Sequence, residues 1–332
     1  MKRVKLDLHV GSHLKHATAL TMKIAAQDPA IHLITVLYRS EVGLSTFLDC
    51  LQAQNMPNWR LYVIDNASPD VSRHITAARE DPRIILHHNR VNLGFAAAVN
   101  QGLRAAAAAG AEFFLIINND TSFEPDFLRN LLTVREQVGA HVIAPRIMRL
   151  NNPDICWYAG GGFYDGSIFT NVHHQEYQPT DDFTAVRVDF APGCCLGINR
   201  TVLERAGLFD ESFFVYWEDT DFCMRLKTLN IPVLYVSEPS LLHAGAASSG
   251  GESSFTFIRL YYRSYIQLLR KHFGWRRAVG TTVRLLKREM TRPIPERRLR
   301  SLAIALALGL GARLAPSHPP LDLQPRGASI NT

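Results

Sequence analysis

Phe113-Phe114-Leu115-Ile116-Ile117-Asn118-Asn119-Asp120 decides the reading of the fold: five large apolar residues without a break, then three short polar ones. A continuous apolar run of this length suits a strand buried on both faces, as in a parallel sheet. The run Ile31-His32-Leu33-Ile34-Thr35-Val36-Leu37 is a second such strand, and Leu61-Tyr62-Val63-Ile64 and Ile84-Ile85-Leu86 are two more. Helical spacing lies between and after them. Val42, Leu44, Phe47, Leu48 and Leu51 follow it up to Pro57. Ala96 to Ala109 is almost all helix former and stops at Gly110, and Glu124 to Gln137 is expected to be a helix with Pro125 in its first turn. Strand and helix alternate four times over residues 31–137, which predicts βαβ units and an α/β fold with a mostly parallel central sheet.

Ligands of such sheets bind beyond the carboxyl ends of the strands. Those ends carry Leu37-Tyr38-Arg39, Asp65-Asn66 and Asn118-Asn119-Asp120. Neither GxxxxGK[ST] nor a GxGxxG between strand and helix occurs, so a nucleotide bound here is held in another way.

Further along, residues 150–195 are less regular and Val186 to Phe190 alternates like an edge strand. Arg200 to Ala206 reads as a short helix. Then Phe213-Phe214-Val215-Tyr216-Trp217-Glu218-Asp219-Thr220-Asp221 runs an aromatic segment into three carboxylates. Phe222, Leu226 and Leu229 continue at helical spacing, so Asp219 or Thr220 is expected to cap a helix. Walled in by aromatic residues, such a carboxylate can also act as a general base. Pro232 to Val236 is a strand, with His243 in the polar, glycine-rich loop beyond. Phe255 to Phe273 and Trp275 to Met290 read as two basic helices, and Leu299 to Leu314 as a third, apolar at Leu302 to Leu308.

The net charge of +6 over 332 residues is unevenly spread. Residues 259–313 hold fourteen Lys or Arg against Glu289 and Glu296, residues 1–28 carry +3, and residues 29–258 carry −9. An acidic body with a basic tail speaks against a nucleic-acid-binding core and for a tail that meets an anionic membrane surface. The five cysteines are odd in number and lack paired metal-ligand spacing, which fits reduced thiols in a cytosolic protein. No apolar run is long enough to span a bilayer, and no signal-peptide core is present. The expected organisation is a loose extension at 1–28, a catalytic domain at 29–258, basic and amphipathic helices at 259–314, and a disordered tail at 315–332.

The ordered set of polar motifs resembles family-2 inverting glycosyltransferases of the A-type fold. It comprises Asp65-Asn66-Ala67-Ser68, Asn92-Leu93-Gly94-Phe95 with Asn100, and Asn118-Asn119-Asp120. Gly207-Leu208-Phe209-Asp210-Glu211, Trp217-Glu218-Asp219-Thr220-Asp221 and His243 complete it. The likeness spans roughly residues 31–270 and is nearest the bacterial rhamnosyl- and galactofuranosyltransferase branch. It implies a three-layer nucleotide-diphospho-sugar transferase fold and transfer from a dTDP- or UDP-sugar, such as rhamnose, to a glycan or lipid-linked glycan. By that resemblance Asp219 is the catalytic base, and Asp120 and His243 bind Mg²⁺ or Mn²⁺. Leu37, Arg39, Asp65, Asn92, Gly94, Asn119 and Asp120 face the donor, with Asp65 reading a pyrimidine; Gly193, Trp217 and Glu218 line the acceptor side. The enzyme would sit in the cytoplasm, peripheral at the inner face of the cell membrane.

This chain departs from the pattern in two places. Asn118 and Asn119 leave one carboxylate where relatives carry two or three, and Leu37 and Arg39 stand where polar residues are expected, although Arg39 suits a phosphate. Each motif also has a plain reading. Asp65 and Ser68 suit an Asx turn, Asn118 to Asp120 a helix cap, His243 a loop residue, and Cys194-Cys195 packing. A catalytically silent relative that binds a nucleotide or a partner enzyme is the alternative from another class.

Overall fold

In the computed structural model, the residues described are 31–38, 41–68, 81–164, 168–170, 185–245, 255–290, 303, 305–306 and 309–310. The extension at 1–28 and the tail at 315–332 lie outside them, as does Arg39.

The continuous apolar runs form the middle of one sheet. Strands β1 (Ile31–Leu37), β2 (Trp59–Asp65), β3 (Ile84–His88) and β4 (Phe113–Ile117) run parallel in the order β3-β2-β1-β4. All five residues of β4 are buried. Helices α1 (Glu41–Gln52) and α2 (Phe95–Ala108) fill the crossovers, and α2 packs on β1, β2 and β4. Gly102 in α2 permits that approach, because a Cβ there would lie 2.5 Å from Ile34. Beyond β4 come the two-residue β5 (Thr121–Ser122) and α3 (Phe127–Gln137). Pro125 therefore precedes α3 rather than occupying its first turn, since the Glu124 carbonyl already accepts from the Phe127 N–H.

The second half of the sheet was less legible. Strands β6 (Val142–Arg149), β7 (Asn152–Tyr158), β10 (Ala185–Val188), β11 (Cys195–Asn199) and β12 (Val233–His243) extend it to the order β10-β12-β6-β11-β4-β1-β2-β3. A separate two-stranded ribbon pairs β8 (Gly162–Tyr164) with β9 (Ile168–Thr170). Four of the seven pairings along that order are parallel, so the sheet is mostly parallel as expected. Strand β11 is antiparallel to both β4 and β6, which makes β6 and β12 run with β1 to β4. One edge of the sheet thus collects Leu37, Asp65, Ile117, Arg149 and His243, together with the chain entering β11 at Cys194-Cys195.

Helices α4 (Arg200–Ala206) and α5 (Glu218–Thr228) follow, then the long α6 (Phe255–Phe273) and α7 (Trp275–Met290). Besides the main core, a second apolar cluster joins Phe213 and Trp217 to Tyr265, Ile266, Leu268 and Leu269 of α6, with Ala278 and Leu306. Most of the apolar stretch near Leu302 lies outside the described residues; within it, Ala305 and Leu306 are buried. Among the described residues, no helix is long and apolar enough to cross a membrane.

Candidate active site

The turn after β4 positions the first functional pair. The Asn118 N–H donates to the Cys194 carbonyl at 2.9 Å, and Thr121 Oγ1 donates to the Asn118 carbonyl at 2.7 Å. Asn119 donates through Nδ2 to the Val36 carbonyl at 3.1 Å, tying the turn to β1. Thr121 then pairs with His243 across β5 and β12, and the Ala244 N–H donates to the Asp120 carbonyl at 3.0 Å. His243 is accordingly the last residue of a strand, not a loop residue, because this pairing extends β12 past Pro239. Its Nε2 stands 3.2 Å from Asp120 Oδ1 and 3.4 Å from Asn118 Nδ2, and Trp157 meets its ring edge-on at 5.0 Å.

Among the described residues, Asp120 Oδ1 and His243 Nδ1 are buried and accept or donate no hydrogen bond, a costly state for polar atoms. Two ligands at right angles on a hard cation with bonds of about 2.1 Å lie about 3 Å apart. The Asp120–His243 separation fits that spacing. No group of three or more His, Cys, Asp or Glu side chains suited to a metal occurs among the described residues, so a cation here needs further oxygen ligands.

The second functional element is the entry to α5. Tyr216 and Trp217 adopt left-handed backbone with φ of 67° and 71°. Such conformations cost about 1–3 kcal/mol each in non-glycine residues and persist where surrounding packing enforces them. They start α5 at Glu218, so Trp217 occupies the cap position and no side chain caps the helix. Asp219 thus lies inside the first turn, contrary to the expected capping role. Its Oδ1 accepts from the Thr220 N–H at 2.6 Å, and its Oδ2 accepts from the Gly193 N–H at 3.1 Å. Burial, together with the neighbouring Asp219 charge, holds the Glu218 carboxyl well above the usual range. Burial likewise raises Asp219, against the hydrogen bonds it receives. A carboxyl so shifted is better matched to taking a proton near neutral pH.

Asn66, legible in the sequence only as a strand-end motif position, is a hub of polar contacts. Its amide donates to Asn92 Oδ1 at 2.8 Å and to the Gly94 carbonyl at 3.0 Å, and its carbonyl accepts from the Leu93 N–H at 3.0 Å. Gly94 has φ 89°, and a Cβ there would lie 2.4 Å from the Phe214 carbonyl oxygen. The loop at 92–94 therefore seats the aromatic segment against the start of α2. Asn100, six residues on, holds the chain just before that segment: Nδ2 donates to the Phe209 carbonyl at 2.9 Å and Oδ1 accepts from the Phe209 N–H at 3.0 Å.

A cavity of about 550 Å³ opens at this edge. Asn92, Gly94, Asn119, Asp120, Gly193, Trp217, Glu218, Asp219 and His243 all line it. Two expected residues do not. Leu37 is turned into the core, with Val36 and Tyr38 lining instead, because strand side chains alternate. Asp65 is fully buried; it accepts from the Ser68 N–H at 3.0 Å, the expected turn, and bonds His88 Nδ1. Lining residues not anticipated include Asn66, Asn118, Arg149, Trp157 and four residues of α6. Nothing in the apolar periodicity of α6 marks that contribution.

Basic residues at the end of α6 also face inward. Lys271 Nζ lies 2.6 Å from Asp210 Oδ2 and 2.7 Å from Asp221 Oδ1, and His272 Nε2 lies 2.7 Å from Asp221 Oδ1. Burial alone would raise the Asp221 carboxyl; the His272 hydrogen bond and the Arg225 and Lys271 charges outweigh it and hold the group below its ordinary value. Part of the basic tail is therefore a brace between α6 and the first turn of α5.

A strand-edge cavity lined by an Asp–His pair and by a buried carboxylate at a helix start agrees with what the chain matches. The family model for glycosyl transferase family 2 covers residues 33–207, and the chain belongs to that family of transferases. An N-acetylglucosaminyl-diphospho-decaprenol L-rhamnosyltransferase of Mycobacterium tuberculosis is 26% identical over 74% of this chain and 86% of its own. A low-salt glycan biosynthesis hexosyltransferase of Haloferax volcanii is 25% identical over 61% of this chain; the match spans 63% of that relative's length. In structure, the mannosyltransferase of Pyrobaculum calidifontis, solved with GDP-Man and Mn²⁺, superposes with a TM-score of 0.51 at 15% identity, covering 88% of this chain and 78% of that one. That likeness establishes the A-type glycosyltransferase fold.

Proposed function

We propose that this chain transfers one sugar, rhamnose or a related hexose, from a dTDP- or UDP-sugar to a growing, lipid-linked cell-surface glycan, with inversion at the anomeric carbon. One observation chiefly supports the reading: the Asp120–His243 pair and the Asp219 carboxylate line the same cavity. In this reading the acceptor hydroxyl attacks the anomeric carbon while Asp219 takes its proton. The bond from that carbon to the diphosphate oxygen breaks, and its electron pair leaves with the nucleoside diphosphate. Gly193 and Thr220 fix the orientation of the base by donating to it. Asp120 and His243 would hold Mg²⁺ or Mn²⁺, which when bound neutralises charge developing on the diphosphate. Asp65 is buried behind the cavity wall on Ser68 and His88, so it holds the turn that ends β2, and Asn66 stands at the wall in its place. Asn119 and Asn92 line the donor side, and Arg39 is assigned to a donor phosphate.

A lipid-linked acceptor would bring the enzyme to an anionic membrane face. The outward face of α7 suits this, carrying Arg276, Arg284 and Lys287 in the open beside the exposed Phe273, Trp275 and Val283.

The test is a panel of dTDP- and UDP-sugars with Mg²⁺ or Mn²⁺, reading release of the nucleoside diphosphate with and without lipid-linked N-acetylglucosamine. Metal-dependent release stimulated by the acceptor is expected. Binding without release for every donor would instead mark a silent, nucleotide-binding relative.

A further inference from the structure

We propose that α6, which lies outside the residues matched by the family model, supplies an aromatic shelf on which a sugar ring of the acceptor stacks. The inference rests on the transfer reading above and adds the subsite and the chemistry it recognises. Thr256, Phe257, Leu260 and Tyr261 line the cavity that holds Glu218 and Asp219. Thr256 and Leu260, and Phe257 and Tyr261, are four residues apart and Phe257 and Leu260 three, so the four adjoin along one broad side of the helix. The rings of Phe257 and Tyr261 lie nearly parallel, 5.3 Å apart at 18°. Tyr216 approaches Phe257 at 5.0 Å, and Trp217 approaches Tyr261 at 5.1 Å, so four rings form one continuous wall.

The C-terminal part of α6 anchors the shelf. Ile266, Leu268 and Leu269 are buried in the second apolar cluster, Ser264 Oγ donates to the Val215 carbonyl at 2.9 Å, and Lys271 pairs with Asp210 and Asp221. The wall is thus held in place before any ligand arrives, which lowers the cost of ordering it on binding.

Two independent features point to a carbohydrate and not to an alkyl chain. Aromatic faces are electron-rich and take the polarised C–H face of a pyranose as well as burying it. Beside them Glu218 Oε2 is buried and, among the described residues, has no hydrogen-bond partner. A ring hydroxyl satisfies that oxygen. An alkyl chain would cover the same rings and leave it unsatisfied.

Saturation-transfer NMR on the full chain tests this, with methyl glycosides of N-acetylglucosamine, rhamnose, galactose and glucose as probes and octyl phosphate as the alkyl control. Saturation of the C–H protons of at least one glycoside is expected. Tyr261→Ala and Phe257→Leu should weaken that glycoside by roughly tenfold, the scale of a lost aromatic contact, while Tyr261→Phe retains it. Phe257→Leu keeps apolar volume and so remains informative if the alanine variant fails to fold. Saturation of octyl phosphate alone, no saturation of any glycoside, or parent-like glycoside binding in both Tyr261→Ala and Phe257→Leu would each overturn the shelf. Binding of UDP and dTDP with Mn²⁺, measured on the same samples, reports the donor side separately. Its absence from the parent would undo the transfer reading whatever the glycosides do.

Discussion

Asp120 Oδ1 and His243 Nε2 face each other at 3.2 Å because Thr121 and His243 pair across two strands that are far apart in the chain. An acidic oxygen and an imidazole nitrogen at that distance can share a cation. Asp120→Ala is therefore expected to remove metal-dependent binding of UDP or dTDP and to abolish transfer, while His243→Ala should weaken both. Titration calorimetry with and without Mn²⁺ checks this. Undiminished nucleotide binding and transfer in excess chelator would remove the metal from the mechanism.

Under the proposed transfer, Asp219 carries the pH dependence of the rate. Asp219→Asn keeps the shape but cannot accept a proton, and losing general-base catalysis costs about 10²–10⁴-fold in rate. In the parent, burial raises both Asp219 and Glu218, so the acidic limb of kcat/KM should fall above the ordinary carboxylate range, with apparent values belonging to the pair. For stability the sign is opposite to that of a salt-bridged acid. The folded state binds protons here more tightly than the unfolded chain, so this pair's contribution declines as pH rises from the ordinary to the raised values. A pH–rate profile with its acidic limb at an ordinary carboxylate value would contradict the burial of Asp219.

What the sequence revealed depended on how completely each element is buried. Ile31–Leu37 and Phe113–Ile117 were legible residue for residue, because a strand covered on both faces reads as an unbroken apolar run. Strand β6 was hidden by Pro145 and Arg146, and β11 by Gly197, where a Cβ would lie 2.6 Å from Phe113 and 2.7 Å from Ile143. The residues of the site itself were read from motif order, and nine of them line one cavity. Asp65 and Leu37 showed the limit of that reading, since a motif position fixes the strand end but not the direction of its side chain. Lys271 and His272 looked like tail charge and are internal ligands of Asp221, a distinction that only tertiary packing makes.

Asn66 should matter more for stability than its place between two turn residues suggests. Asn66→Ala leaves the Leu93 N–H, the Gly94 carbonyl and the Asn92 side chain short of partners at once. The bonds to the Gly94 carbonyl and from Asn89 are buried, and a buried polar group left unsatisfied costs about 1–3 kcal/mol. Urea unfolding should show a loss of a few kcal/mol, accompanied by weaker acceptor use because the loop also seats Phe214. A variant as stable as the parent would mean that water replaces the whole knot.

The brace at Asp221 makes a prediction of the opposite pH sign from Asp219. Its carboxyl is held below the ordinary value, so its stabilisation is present above the unfolded carboxylate pKa and is lost as pH falls through the lowered folded one. Removing one partner of a buried ion pair typically costs about 3–5 kcal/mol, because the other charge is left uncompensated. Lys271 is partly exposed, so Asp221→Asn belongs at the low end. Its thermal midpoint should fall at neutral pH and approach that of the parent in acid. An unchanged gap across pH would assign the loss to packing instead.

The outward face of α7 carries the membrane prediction. Arg276, Arg284 and Lys287 are exposed, with Phe273, Trp275 and Val283 among them, and none of the three cations is needed by the Asp221 brace. Basic residues at an anionic surface contribute about 1 kcal/mol each, and exposed aromatic residues settle at the headgroup level. Such binding is electrostatic and falls as salt shortens the Debye length. Flotation with anionic and with neutral vesicles should carry the full chain upward with the anionic ones only, and rising salt should release it. Reversing the face with Arg276→Glu, Arg284→Glu and Lys287→Glu should abolish flotation yet leave binding of UDP or dTDP intact, since α7 does not line the cavity. If the full chain stays in the soluble fraction with anionic vesicles at low salt, the face meets water and the acceptor must be delivered by another route. If the reversed variant floats like the parent, membrane contact belongs to a different part of the chain.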